Sequence, residues 1–435
     1  MTKVVFQDSL KNKSIYNAVS DVFEAFGGGK GMLKSSQNVY LKVNAIDFKP
    51  YVYTSVEVVE AAAKYFFNCG AKNVYIIENS TQGNITRLVF DIIGMNTMCK
   101  KIGAIPIFLD ETDQIPMFLP ILQSFVQIPD FVNEHLIQNR KDNLYISIPK
   151  LKTHSMTTVT LGIKNQFGLI HHMSRIHDHN FRLHQKLADI YANIQPDFTL
   201  VDGIFATNYG HYPAFADKEK CVIPMNVIFG GNDSLAVDIV GAKFLGFDIE
   251  EVEHLKLCAQ YKIGESNFEK IEIENSFIFK ERKQKFSCEL LEEFPSDITI
   301  IRGKKRCCRE GCKRNTEAVL EVFAKDFKGT GGFTILMGKG IDKKEIENIK
   351  EKVHIAGDCA ISEWYQYLSY KLGKHNITVS TGCNNLAETI NSLTKWMNIS
   401  PLNLVPIGII ESLKLLIIAK FKGTKANIPL IIPKL

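Results

Sequence analysis

The chain has 435 residues, 45% of them apolar and 23% charged, with a net charge of +5. That length exceeds what one hydrophobic core carries, so two or more domains are expected, and the composition excludes a disordered or fibrous chain. The charge is spread, and the densest basic runs, KERKQK at 280–285 and RGKKR at 302–306, read as solvated loops, so no nucleic-acid footprint is expected.

The first twenty residues hold no unbroken apolar run of a secretion signal. A cytoplasmic protein with reduced cysteines is therefore expected. FGGGKG, residues 26–31, lacks the strand and GK[ST] context of a phosphate loop and reads as a flexible turn. NVYLKVN (38–44) predicts a buried strand. Thr54 opens a helix, with Glu57 completing a capping box, and NVYIIEN (73–79) is the next strand. Residues 86–102 read as one helix, followed by the strands IPIFLD (105–110), LYISIP (144–149), FTLVDG (198–203) and MNVIFGG (225–231). Asp233 caps the helix SLAVDIVGAKFLG. A polar stretch, within which residues 271–297 serve as a linker, precedes a restart of the pattern. The new strands are ITIIRG (298–303), GGFTILMG (331–338), KVHIAG (352–357) and NITVSTG (376–382). The alternation predicts two α/β domains with largely parallel sheets, 1–270 and a smaller, cysteine-bearing 298–398, with 399–435 as an apolar tail.

Two groups of residues carry chemistry. Cys307, Cys308 and Cys312 lie shortly after the first strand of the second domain, Cys359 just after the third and Cys383 just after the fourth. Parallel strands end on one side of their sheet, so these thiols are expected to converge. Gly311, Gly357 and Gly382 let the backbone approach a bulky inorganic core. Soft thiolates in this arrangement suit a 4Fe–4S cluster, with zinc and redox thiols as alternatives. The candidate ligands are Cys308, Cys312, Cys359 and Cys383, with Cys307 as alternate to Cys308. A three-cysteine cluster with one open iron is a further alternative.

The second group lies in IPKLKTHSMTTVTLGIKNQFGLIHH, 148–172. Lys150, Lys152 and His154 alternate and share one side of an extended chain. With Thr157, Lys164 and Asn165, and with Lys42 and Asn44 from the strand NVYLKVN, they are expected to bind a small anionic metabolite. Lys152, His154 and Asp202 are the candidates for catalysis, and Asp202 shares a strand-end position with Lys150. The five histidines from His171 to His184 lack the HExxH spacing of a metal site, so they and Arg175 extend the anion pocket or form a flap.

VYLKVN, GAKNVYIIENS, IPKLKTHSMTTVTLGIKNQFG, LVDGI and NDSLAVDIVGAKFLG together resemble the family named domain of unknown function 362, over roughly residues 3–270. The resemblance implies a prokaryotic protein associated with iron–sulfur modules. The ferredoxin-type CxxCxxCxxxCP run of many members is absent, and GIFATNYGHYPAF stands where a Gly-Pro turn is commoner.

LVPIGIIESLKLLIIAKF, 404–421, is too short to span a bilayer. Packing against the second domain or another subunit of a homo-oligomer is expected, with interfacial membrane contact as the alternative. The expectation is an oxygen-sensitive, iron–sulfur-dependent oxidoreductase or lyase of anaerobic metabolism. The rival is an iron–sulfur electron carrier or redox sensor that docks to a partner protein, and a zinc-stabilised binding protein is a third reading.

Overall fold

The computed structural model describes residues 2–10, 14–81, 84–171, 174–175 and 180–426. The first unit contains β1 (Thr2–Asp8), β2 (Asn38–Val43), β3 (Asn73–Glu78), β4 (Ile105–Phe108), β5 (Gln114–Leu119) and β6 (Ser124–Pro129). It continues with β7 (Leu144–Ile148), β8 (Lys150–His154), β9 (Thr158–Thr160), β10 (Phe198–Thr207), β11 (Val222–Gly231) and β12 (Ile271–Glu274). Ten of these form one sheet in the order β12-β1-β11-β10-β7-β2-β3-β4, with β8 paired to β10 and β9 to β8, while β5 and β6 make a separate hairpin.

The strands from β10 through β7, β2 and β3 to β4 are parallel, and β11 runs antiparallel to both β10 and β1. The parallel core is covered on both faces. Tyr40 and Tyr145 pack into one apolar cluster, while Val39, Leu41, Val43, Leu144 and Ile146 pack into the other. Alternation of side chains across a strand produces this division. The chain leaves β2 toward β3 and β4, then returns to the other side of β2 for β7 and β10. The carboxyl ends of β2 and β7 therefore flank the topological switch point, where parallel sheets leave a crevice.

The second unit is a four-stranded parallel sheet, β13 (Ile298–Arg302), β14 (Phe333–Met337), β15 (Val353–Ala356) and β16 (Ile377–Ser380), in sequential order. Phe333, Ile335 and Met337 pack on one face and Leu336 on the other. The α/β class with largely parallel sheets is as expected from the alternating pattern.

Several local expectations change. Thr54 makes no capping box: its hydroxyl donates to the Ile148 carbonyl at 2.7 Å and accepts the Asn44 N–H at 2.9 Å, and Ser55 precedes the helix Val56–Asn68 instead. The hydroxyl is spent tying the end of β2 to the end of β7. Residues 86–102 form two helices, Thr86–Ile92 and Met95–Ile102, parted by Gly94 at φ +80°. The run read as a flexible turn holds the short helix Gly28–Met32. Asp233 does cap its helix, accepting the Ala236 N–H at 3.1 Å.

Past residue 270, β12 adds to the edge of the first sheet, Phe279 meets Phe6 edge-on and Phe286 is buried in the same core. The segment joining the units thus starts later than 271. The tail helix Ile409–Phe421 packs against the first unit, not the second, because Ile85, Leu88 and Ile92 offer an apolar seat for Leu415, Leu416 and Ala419. Beyond it, the Thr424 hydroxyl donates to Asp110 at 2.7 Å. Among the described residues no helix is long and apolar enough to cross a membrane.

Candidate functional site

A cavity of about 90 Å³ lies over the switch point. Lys42 and Asn44 come from the end of β2, Glu78 from the end of β3, and Lys152 and His154 from β8. Lys164, Asn165 and Arg175 come from the segment after β9. The second unit closes the far side with Asn315, Asn384 and Leu386.

Each side chain is held. Lys42 pairs with Glu78 at 2.6 Å and donates to the Val43 carbonyl at 2.7 Å, and both partners are buried. Glu78 in turn accepts the Ala45 N–H at 2.6 Å. Lys152 is 1% exposed, and its amine donates to Asn44 Oδ1 at 2.8 Å and the Val52 carbonyl at 2.7 Å. Arg175 donates to the carbonyls of Asn79 and Ser80. The Lys164 amine lies 4.9 Å from the Phe167 ring centre. The turn carrying Lys164 is itself anchored by Asp238, whose carboxyl oxygens accept the N–H groups of Gly162 and Ile163 at 2.7 and 2.8 Å. Two stretches far apart in sequence, TLGIKN and SLAVDIV, thus serve one geometry. His154 Nδ1 accepts the Met156 N–H at 3.1 Å, which places the proton of a neutral ring on Nε2, and the ring stacks on His211 with centroids 3.7 Å apart.

The electrostatics are lopsided. Four cationic side chains line the cavity, and among its described lining residues Glu78 is the one carboxylate. Burial pulls the Lys152 amine well below its usual range, and Lys164, Lys150 and Lys42 push it further down. Burial, then Arg175 and Lys42, bring Lys164 down to about 7. Burial also lowers Lys42, against the pull of Glu78. Desolvated cations with few counter-charges favour an anion in their midst, because it restores the protonated amines.

The cysteine loops border this cavity. Cys308 and Cys312 flank an irregular turn, Cys359 sits in the first turn of the helix Asp358–Leu372, and Cys383 follows β16. Charge on Cys307, Cys383, Cys359 and Cys308 acts on the buried Cys312 thiol, which burial pushes up to about 12. The Arg306 guanidinium donates to Cys308 Sγ at 3.0 Å and feels Cys359 and Cys383. Cys307 packs against the apolar face of the second unit. A Cβ built on Gly357, at φ +86°, would stand 2.5 Å from Cys312 Sγ, so the backbone there makes room for sulfur. Asn384, the residue after Cys383, is buried, donates to Thr316 at 3.0 Å and accepts from Thr389 at 2.7 Å, which fixes the Cys383 loop. Among the described residues no three His, Cys, Asp or Glu side chains stand in the geometry of a single metal ion. A cubane takes one thiolate at each iron corner, so its ligands stand farther apart than those of one ion. Cys308, Cys359 and Cys383 lie near enough to Cys312 for their charge to act on its thiol, and four soft thiolates are the donor type that such a core takes.

The two groups meet. Asn180 Nδ2 donates to the Cys383 carbonyl at 3.0 Å, and His184 faces Glu310 at 3.5 Å. Of the residues singled out in the sequence, Lys42, Asn44, Lys152, His154, Lys164 and Asn165 line the cavity. Lys150 and Asp202 do not: they pair with each other at 2.9 Å, both buried, and Asp202 also accepts the Ser55 N–H at 2.7 Å. Thr157 is spent on the Val159 carbonyl. Arg175 lines the cavity, as an extension of the anion pocket requires, while His172, His177 and His179 lie outside the described residues. Glu78, His211, Asn315 and Asn384 line it without having been singled out, although Glu78 ends a strand that the pattern identified.

A two-unit α/β protein with a cationic cavity at the switch point of its larger sheet and thiol-bearing loops beside it is the class defined by this geometry. Residues 39–243 match the family described as Domain of unknown function (DUF362). Thylakoid-associated protein sll1697 of Synechocystis sp. is 30% identical over 129 residues, covering 28% of this chain and 38% of that protein. The match thus spans well under half of that relative. A crystal structure of a Thermotoga maritima protein aligns over 90% of this chain and 92% of its own, with 11% identity and a TM-score of 0.37.

Proposed function

We propose that the protein is a cytoplasmic iron–sulfur enzyme that acts on a small anionic metabolite bound between its two units. The observation that carries this reading is the cavity itself, with Lys42, Lys152, Lys164 and Arg175 at one wall and Asn384, the neighbour of Cys383, at the other. A carrier that only passes electrons to a docked partner has no use for buried lysines facing an internal space.

Lys152 and Arg175 hold the anionic group, and the Lys42–Glu78 pair sets its orientation. Lys164, at about 7, is suited to give or take a proton at Nζ near neutral pH, where a general acid–base group works best. His154 offers Nε2 as a second proton donor, its ring fixed by Met156 and His211. Lys150 and Asp202 hold β8 to β10 and stay out of the chemistry. A 4Fe–4S cluster on Cys308, Cys312, Cys359 and Cys383 would supply electrons; held by only three of them, with one iron open, it would supply Lewis acidity instead.

The test is the iron, sulfide and zinc content of protein purified without oxygen, together with small-anion binding by calorimetry. About four irons and four sulfides per chain are expected, and anion affinity is expected to fall in Lys152→Ala while iron content holds. Zinc or no metal would remove the cluster. Unchanged anion affinity in the variant would remove the lysine pocket.

A further inference from the structure

The lysine cavity does not end at its polar wall. A second cavity of about 180 Å³ adjoins it, and Ile46, Met156, His211 and Leu386 line both. Its character is opposite. Apolar side chains make up most of its lining, Phe48, Leu88, Val322, Phe323, Phe327 and Ile390 among them, contributed by both units. Of the polar exceptions, Tyr212 and Asn84 each donate to Asp47 at 3.1 Å, while Thr81, His211 and Asn315 also line the lysine cavity. No lysine or arginine lines it among the described residues.

A cationic chamber opening onto an apolar one reads a molecule with two ends. We infer that the substrate is an organic anion whose charged head lies among Lys42, Lys152, Lys164 and Arg175 and whose apolar body, about the size of a benzene ring, fills the second chamber. This rests on the anion-binding reading proposed above and adds the other half of the molecule. The size follows from the volume, since an apolar cavity of about 150 Å³ holds benzene. The orientation follows from the charges, because a carboxylate or phosphate among Phe323, Phe327 and Ile390 would lose its hydration with nothing in return, whereas the lysines gain from it. The head then lies beside Asn384 and the Cys383 loop, so any reaction takes place at the charged end and the apolar body serves to select and hold.

The test uses full-length protein purified without oxygen and two matched pairs of probes, acetate with phenylacetate and inorganic phosphate with phenyl phosphate, titrated by calorimetry. In at least one pair the ring should tighten binding by about tenfold or more, the return from burying that much apolar surface. Ala318→Phe fills the apolar chamber from the helix Arg314–Phe327 and touches none of the lysines. It should abolish the ring's advantage and leave acetate or phosphate binding unchanged. Heads that bind with no gain from the ring in either pair would overturn the two-ended substrate and leave the anion pocket standing. No binding of any probe would overturn both. The wild-type comparison decides the matter even where the variant fails to fold.

Discussion

Arg309 Nε donates to the backbone carbonyl of Ser155 at 2.7 Å. One residue belongs to the cysteine loop of the second unit, and the other directly follows His154. This bond couples the thiol-bearing loop to the strand that carries the lysine–histidine motif. Arg309→Ala should leave iron content intact but weaken the response of the cluster's visible absorption to a bound anion. A response equal to wild type would mean that the link runs through Asn180 and Cys383 instead.

The Lys164 ammonium is held at about 7 against an ordinary 10.5. Between those values the unfolded chain keeps a proton that the folded protein has released, so this group makes stability rise with pH across the window; below it the full cost of charging a buried amine is present. Melting temperature of the anion-free protein should therefore climb from pH 7 to pH 9 more steeply than in Lys164→Met. Anion binding prefers the protonated amine, so affinity should fall above pH 7, by up to about tenfold per pH unit.

Lys152→Met removes the donor to Asn44 and Val52, which costs about 1–3 kcal/mol for the two stranded acceptors. It also removes a cation that its surroundings disfavour. The net change in unfolding free energy should stay within about 2 kcal/mol. Anion affinity should drop at least about tenfold. Chemical denaturation and calorimetry on the same sample separate the two effects.

Single alanine replacements of Cys308, Cys312, Cys359 and Cys383 should each lower bound iron, whereas Cys307→Ala should retain it, since Cys307 packs into the apolar layer with Met337 and Ala356. Iron retained in all four of the first set would mean that the thiols bind no cluster.

Gly357→Ala adds a methyl 2.5 Å from Cys312 Sγ at a φ of +86°. It should displace the thiol and lower iron content without changing anion affinity by more than about threefold, because Gly357 does not line the lysine cavity.

Much of this was legible in the sequence, and the reasons differ by element. Strands such as NVYLKVN and LYISI are continuous apolar runs because both faces of a parallel sheet are covered, and such runs stand out. Lys152 and His154 were visible through their alternation. The same alternation pointed at Lys150, whose partner Asp202 lies directly opposite it on β10, ahead of an irregular register, and nothing local announces that the two neutralise each other. Glu78 and Asn384 were missed because each looks like an ordinary polar residue at the end of a strand or in a loop. Their meaning comes from Lys42 and from Asn315 and Thr316, which are distant in sequence. Apolar content alone marked the tail, and its seat on the helix Thr86–Ile92 depended on side chains more than 300 residues earlier.

That seat has a mechanical consequence. The second unit is fastened to the first at both ends, by the segment after Phe286 and by the returning helix whose Thr424 grips Asp110. Between those ends Arg309 on Ser155, Asn180 on Cys383 and Lys49 on Asp326 bridge the units as well. A single proteolytic cut in either tether should therefore loosen the second unit without releasing it, since the other tether and these bridges remain.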